Sequence, residues 1–95
     1  EECTRHGDIG FFLSLHSRLV APYIGHLGTE EQKRNFLPKC ASGEHVLGIA
    51  MTEPGAGSDL AALSTKATRD NQGYVLNGVK QFISGAGASD LYLTM

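Results

Sequence analysis

Cysteine, positive charge and long apolar runs are all in short supply in this 95-residue chain. Cys3 and Cys40 stand alone, with no CxxC and no histidine at metal-ligand spacing, so no zinc site and no disulfide framework is expected. A reducing compartment is the default for such cysteine usage. No apolar stretch approaches the ~20 residues of a bilayer crossing. Eight Lys and Arg against ten Asp and Glu leave a net charge of −2, which gives no basic surface for nucleic acid. No basic-then-apolar leader is visible, and a chain that starts at Glu1 and stops at Met95 inside an apolar run reads as cut at both ends.

What is present suits a folded protein. A hydrophobic fraction of 41% with little net charge excludes disorder. The length fits one small domain, which usually takes ~100–200 residues, with a modest core. Glycine is the conspicuous excess, twelve in all and concentrated from Gly43 to Gly87. Glycine at that density either punctuates turns or lets backbone approach a ligand closely.

The hydrophobic period divides the chain. From Asp8 to Leu27, Ile9, Phe12, Leu13, Leu19, Val20, Tyr23, Ile24 and Leu27 recur at steps of three, four and seven, the mark of one helical face, widened by Phe11 and Leu15. Pro22 predicts a kink or split at Ala21. Gly28 suits a C-terminal cap. Thr29 and Gln32 form a capping box for a helix with Glu30 and Glu31 in its first turn, running through Phe36 and Leu37, meeting Pro38 and ending by Gly43. After that the pattern is extended. His45–Met51 predicts a buried strand, Ser64–Arg69 a second, and Asp70–Gly73 a turn. Tyr74–Leu76, Asn77-Gly78 and Val79–Ser84 predict a hairpin, and Leu91–Met95 starts a further strand. The fold class is therefore α+β, an α-helical segment over residues 1–43 followed by antiparallel strands over residues 44–95.

Chemistry concentrates in the loop after the first strand. Gly55, Ala56 and Gly57 permit close backbone approach, with the Thr52 and Ser58 hydroxyls on either side, and exposed amides in such a loop form a concave site for phosphate. The spacing is neither GxGxxG nor a Walker loop. On physical grounds alone, a tight turn between strands is at least as good a reading as a phosphate cradle.

The segment Ala50 to Ala62 resembles the signature of the acyl-CoA dehydrogenase family at every specified position, from the small residue and aliphatic that precede Thr52-Glu53 to Gly57-Ser58-Asp59 and the final small residue. Asn77-Gly78-Val79-Lys80-Gln81-Phe82-Ile83-Ser84 is similar to the family's second flavin segment, and Gly28–Pro38 to its helical lead-in. The resemblance implies that residues 1–43 end an N-terminal helical domain and residues 44–95 begin a β-barrel-like middle domain. It implies FAD as cofactor, contacted by Ile49, Ala50, Met51, Thr52, Glu53, Pro54, Gly55, Ala56, Gly57 and Ser58 and by Phe82, Ile83 and Ser84. Thr52 would face the pyrimidine side of the ring and Ser58 the junction of FAD with acyl-CoA. Phe82 stands where many members have Trp packed against the isoalloxazine, and Ser84 where many have Thr near the reactive flavin nitrogen. Phe12 and Leu15 would help line the acyl chamber, although plain core is the commoner role for such residues. His16, on the apolar face, is read as a satisfied core histidine.

The implied activity is oxidation of an acyl-CoA thioester to the trans-2-enoyl-CoA, by α-proton abstraction and β-hydride transfer to FAD. The family's carboxylate base lies C-terminal to these segments, so no catalytic residue and no metal ligand is assigned here, and these residues alone are expected neither to hold FAD tightly nor to turn over. Glu53 and Asp59 are read as loop architecture. The family further implies electron-transferring flavoprotein as electron acceptor, a homotetramer, and either the mitochondrial matrix or the bacterial cytoplasm. Ile49–Leu60 looks like long-chain members and Phe82–Tyr92 like short branched-chain members. An acyl-CoA oxidase, a flavin monooxygenase or a non-catalytic scaffold of the same fold are the competing readings.

Overall fold

The computed structural model describes Arg5 and residues 14–95. The predicted positions Ile9, Phe11, Phe12 and Leu13 lie outside the described residues.

Among the described residues, the helical half contains a π-helical stretch, Leu15–Val20, continuous with helix α1, Ala21–Leu27. Pro22 sits where this continuous helix passes from π to α, and its missing N–H removes one bond from the helical ladder there. The expected break at Ala21 is thus a change of helical pitch. Gly28 closes α1 in an extended conformation, its N–H bonded to the Ile24 carbonyl at 2.9 Å. A Cβ there would lie 2.5 Å from that carbonyl oxygen, so only glycine fits.

Helix α2, Glu30–Ser42, opens with the capping box the sequence predicts. Gln32 N–H donates to Thr29 Oγ1 at 3.2 Å, and Thr29 N–H donates to Gln32 Oε1 at 2.8 Å. Lys33 pairs with Glu30 at 2.8 Å on the outer face. The helix passes through Pro38 and ends at Gly43, whose φ of 82° is the left-handed C-cap conformation glycine favours.

Four strands follow: β1 (Leu47–Ala50), β2 (Lys66–Arg69), β3 (Tyr74–Asn77) and β4 (Leu91–Thr94). They form two two-stranded sheets. Here two expectations are corrected. First, the β half is mixed, because β1 and β4 pair in parallel, Leu47 opposite Leu91 through Ala50 opposite Thr94. The long connection between them contains the loop and the hairpin, ample for the crossover a parallel pair needs. Asp90 sets the register, its Oδ2 accepting from Val46 N–H at 2.8 Å and its own N–H donating to the Val46 carbonyl at 2.9 Å.

Second, the hairpin turns at Asp70–Gly73 and not at Asn77-Gly78. Strands β2 and β3 are antiparallel, Lys66 opposite Asn77 and Arg69 opposite Tyr74. Asp70 N–H donates to the Gly73 carbonyl, and Asp70 Oδ1 accepts from Gln72 N–H. Residues 79–84 form no strand. Gly78 presses on Thr65 so closely that a Cβ would overlap its side chain, and the next residues are drawn back to the first loop instead of along β3.

Val20, Cys40 and Leu47 meet as the buried core, with Leu15, Ala21, Ile24, Ile49, Leu91 and Leu93 packed around them. This apolar cluster fastens the helices to the β1–β4 pair. Burial pushes the Cys40 thiol pKa up, so it stays a protonated hydrophobe. His16 Nε2 donates to the His45 carbonyl at 3.0 Å, a half-buried and satisfied histidine as expected.

Candidate functional site

The glycine-rich loop leaves the C-terminal end of β1 and folds on itself. Glu53 N–H donates to the Ala56 carbonyl at 2.9 Å and Ala56 N–H returns to the Glu53 carbonyl at 3.1 Å, with Pro54 and Gly55 at the tip. That mutual pairing buries Glu53 and Ala56 and turns the neighbouring backbone outward. Among the described residues, no hydrogen bond engages the amides of Gly55, Gly57 or Ser58, or the Thr52 and Ser58 hydroxyls. Open space surrounds the position a Cβ would take at Gly55 and at Gly57. Asp59 then caps a short 3-10 turn, Leu60–Ala62, by accepting from Ala61 N–H at 3.2 Å.

Beneath the loop lies a dense polar cluster around the Glu53 carboxylate, only 3% exposed. Its Oε2 accepts from Ser64 N–H at 2.7 Å and Ser64 Oγ at 2.6 Å. Its Oε1 accepts from Thr65 N–H at 2.9 Å, from Thr65 Oγ1, and from Lys80 Nζ at 2.8 Å. The Lys80 ammonium, followed by the Ser64 and Thr65 donors, holds this carboxyl well below the usual carboxylate range. Glu53 is therefore an ionised anchor with both carboxylate oxygens engaged by donors from the chain. Its carboxylate is turned away from the loop's outer surface, and Asp59 is committed to its own turn, so the two carboxylates do not act as a pair.

The second segment reaches this loop directly. Lys80 Nζ also donates to the Met51 carbonyl at 3.0 Å. Gln81 N–H donates to the Thr52 carbonyl at 2.9 Å, and Gln81 Nε2 to the Glu53 carbonyl at 3.3 Å. Phe82 follows, 88% exposed as a residue and with its backbone at φ 57°, a left-handed conformation costly for a bulky residue. It is the one non-glycine residue with positive φ among the described residues. A turn from Ile83 to Ala86 and left-handed Gly85 and Gly87 complete the segment. Tyr92 clamps that turn, its hydroxyl donating to the Gly85 carbonyl at 2.7 Å and accepting from Gly87 N–H at 3.0 Å. The Tyr92 ring lies over Gly48, where a Cβ would sit 2.9 Å from it.

The structure thus ties Met51–Glu53 to Lys80 and Gln81, so that the loop running on to Ser58 and the segment Phe82–Ser84 leave one junction, with Ile49 and Ala50 in the strand behind. Ile83 is half-buried and Ser84 exposed. Leu15 lies apart, packed on the core cluster; Phe12 lies outside the described residues. Sequence reasoning missed Lys80, Gln81, Ser64, Thr65 and Tyr92. A lone lysine and two hydroxyl residues inside extended segments carry no periodic signal, and only the block from Asn77 to Ser84 marked Lys80 at all. An apolar cleft of about 250 Å³, lined by Tyr23, Ile24, Leu27, Phe36, Leu91 and Leu93, shares no residue with the loop. Among the described residues no group of three His, Cys, Asp or Glu side chains could hold a metal, and no helix is long and apolar enough to cross a membrane.

Unengaged amides and hydroxyls suit the acceptor atoms of a phosphate or of a polar heteroaromatic edge, and an exposed ring held by strained backbone suits a planar group. Both belong to a dinucleotide cofactor such as a flavin, and the residues present fit one.

Comparison with known proteins points the same way. The family model described as acyl-CoA dehydrogenase, N-terminal domain, matches residues 1–44, and that for the acyl-CoA dehydrogenase middle domain matches residues 48–95. A mitochondrial isobutyryl-CoA dehydrogenase of Dictyostelium discoideum is 51% identical over 84 residues, 88% of this chain and 20% of the relative. The crystal structure of an acyl-CoA dehydrogenase from Geobacillus kaustophilus superposes with a TM-score of 0.88 at 47% identity, covering 96% of this chain and 24% of that one. A glutaryl-CoA dehydrogenase from Mycobacterium smegmatis in complex with FADH2 superposes with a TM-score of 0.83 at 38% identity, over 90% of this chain and 23% of that one. The chain spans about a fifth of the length of the curated relatives it matches.

Proposed function

The chain belongs to the acyl-CoA dehydrogenase family, and from that premise we propose that it carries the flavin-facing part of an FAD-dependent enzyme that oxidises an acyl-CoA to its trans-2-enoyl-CoA. Residues 1–43 belong to the N-terminal helical domain and residues 44–95 to the middle β domain. The observation that carries this reading is the joining of the outward-facing loop at Gly55, Gly57 and Ser58 to the segment that displays Phe82.

The roles follow from the donors available. The free amides of Gly55, Gly57 and Ser58 would receive the cofactor's polar edge, with the Thr52 hydroxyl toward the pyrimidine side. Phe82 would cover one face of the ring, and the Ser84 hydroxyl would reach its reactive nitrogen. Ser58, exposed at the end of the loop, would stand between cofactor and thioester. Leu15 and Phe12 would contribute to the wall of the acyl chamber. When bound, FAD supplies the acceptor for the β-hydride. The α-proton needs a desolvated carboxylate poised near neutrality. Glu53, locked in its ionised form by five donors, is unsuited to that task, and the base belongs to another part of the protein. The acceptor partner is electron-transferring flavoprotein, the assembly a homotetramer, and the compartment the mitochondrial matrix or the bacterial cytoplasm.

The test is a panel of acyl-CoA chain lengths presented anaerobically to the full-length protein. The expected outcome is bleaching of the flavin absorbance with at least one acyl-CoA and turnover with an artificial electron acceptor. No bleaching with any acyl-CoA would sink the dehydrogenase reading.

A further inference from the structure

We propose that Lys80 is a positioning residue: seated between the Met51 carbonyl and the Glu53 carboxylate, its ammonium holds the glycine-rich loop and the Phe82 segment in the one arrangement that receives flavin. This rests on the flavin reading above and adds to it a group that touches no cofactor.

The geometry separates two tasks within the polar cluster. Ser64 and Thr65 already give the Glu53 carboxylate four donors, all from the chain that follows the loop. Those bonds close the loop on itself. Lys80 comes from the far side of the β2–β3 hairpin, 27 residues away in sequence from Glu53, and is only 12% exposed. It makes the ionic link between the two segments, and it bonds to both ends of the stretch leading into the loop, the Met51 carbonyl and the Glu53 carboxylate. A buried ion pair adds little net stability, because desolvation offsets most of the attraction, whereas breaking one exposes the fold to an unpaired charge. Its better-attested use is to choose one register among several.

Phe82 needs such a device. Its left-handed backbone persists only if the chain is pinned on both sides. On one side Lys80 and Gln81 are bonded to the Met51–Glu53 stretch, and on the other the Ile83–Ala86 turn closes under the Tyr92 clamp. Two residues before Phe82, the lysine points inward while the ring points out. Without the ammonium, the segment is free to relax Phe82 toward ordinary backbone and to change the direction in which its ring is displayed.

The experiment compares wild type, Lys80→Met, Lys80→Arg and Ser64→Ala in the full-length protein, measuring the FAD dissociation constant by flavin-fluorescence titration of the apoprotein together with the apoprotein Tm. Lys80→Met is expected to weaken FAD at least tenfold. Lys80→Arg, which keeps the charge but not the position of its donors, is expected to weaken it at least threefold with little change in Tm. Ser64→Ala is expected to lower Tm while changing FAD affinity less than threefold. If Lys80→Met fails to fold, the Arg variant decides alone. FAD affinity within twofold of wild type in the folded lysine variants, or an equal loss in Ser64→Ala, overturns the proposal while leaving the flavin reading intact. A wild-type protein that takes no FAD overturns the flavin reading itself, and this proposal with it.

Discussion

The helical half and the loop half of this chain are held by different forces. Val20, Cys40 and Leu47 join helices to the β1–β4 pair through apolar contact, a bond with no direction that tolerates small shifts. The glycine-rich loop has little apolar anchorage beyond Ala56 and is held chiefly through the Glu53 carboxylate, reached by donors from Ser64, Thr65 and Lys80. Such bonds are directional and short, so they fix orientation as well as proximity. The lesson is a division of labour. Apolar packing places the elements, and the buried polar cluster sets how the candidate site faces.

That contrast can be broken at either end. The largest loss of stability is expected for Glu53→Ala, which strands the Lys80 ammonium and four further donors. Its fall in Tm, read by calorimetry on the full-length protein, should exceed that of any core truncation. Gly78→Ala comes next. Its Cβ would overlap Thr65, forcing apart the loop and the second segment, at a cost of about 3 kcal/mol in chemical denaturation. Val20→Ala, on the apolar side, should cost about 2 kcal/mol with FAD affinity unchanged, because its cavity lies within the helix–sheet core. Thr29→Ala removes one partner of the capping box and should cost about 1 kcal/mol, again without effect on the cofactor.

Acid separates the two halves by charge. The folded-state pKa of Glu53 is depressed, first by Lys80 and then by Ser64 and Thr65. Its contribution to stability is therefore complete above the unfolded value of about 4.3 and is lost as pH falls through the depressed one. Glu53→Gln has no such titration. The Tm gap between wild type and this variant should shrink as the pH is lowered from about 5 toward 2, whereas the gap for Val20→Ala should stay nearly constant.

The same division explains what the residues disclosed in advance. Helix α2 was legible because its signals are local: Thr29 and Gln32 three apart, acids in the first turn, Gly43 at the end. The strand β1 and the outward glycines of its loop were legible for the same reason. The hairpin was misplaced because Asn77-Gly78 is a strong local turn signal overridden by a distant contact, the press of Gly78 on Thr65. The parallel pairing of β1 with β4 depends on Asp90 meeting Val46, 44 residues apart in sequence. The Glu53 cluster was invisible for that reason also. A glutamate, two hydroxyl residues and a lysine spread over residues 53–80 have no period, and only folding makes them neighbours.

The central claim, that the glycine-rich loop and the Phe82 segment form one flavin shelf, is tested most directly by replacing the exposed ring. In the full-length protein, the FAD dissociation constant and the visible spectrum of the bound flavin are compared for wild type and Phe82→Leu. The account predicts FAD bound about tenfold more weakly, with a displaced flavin absorption band, and an unchanged apoprotein Tm, since Phe82 is 88% exposed and supports no core. Wild-type affinity together with an unshifted spectrum would contradict it.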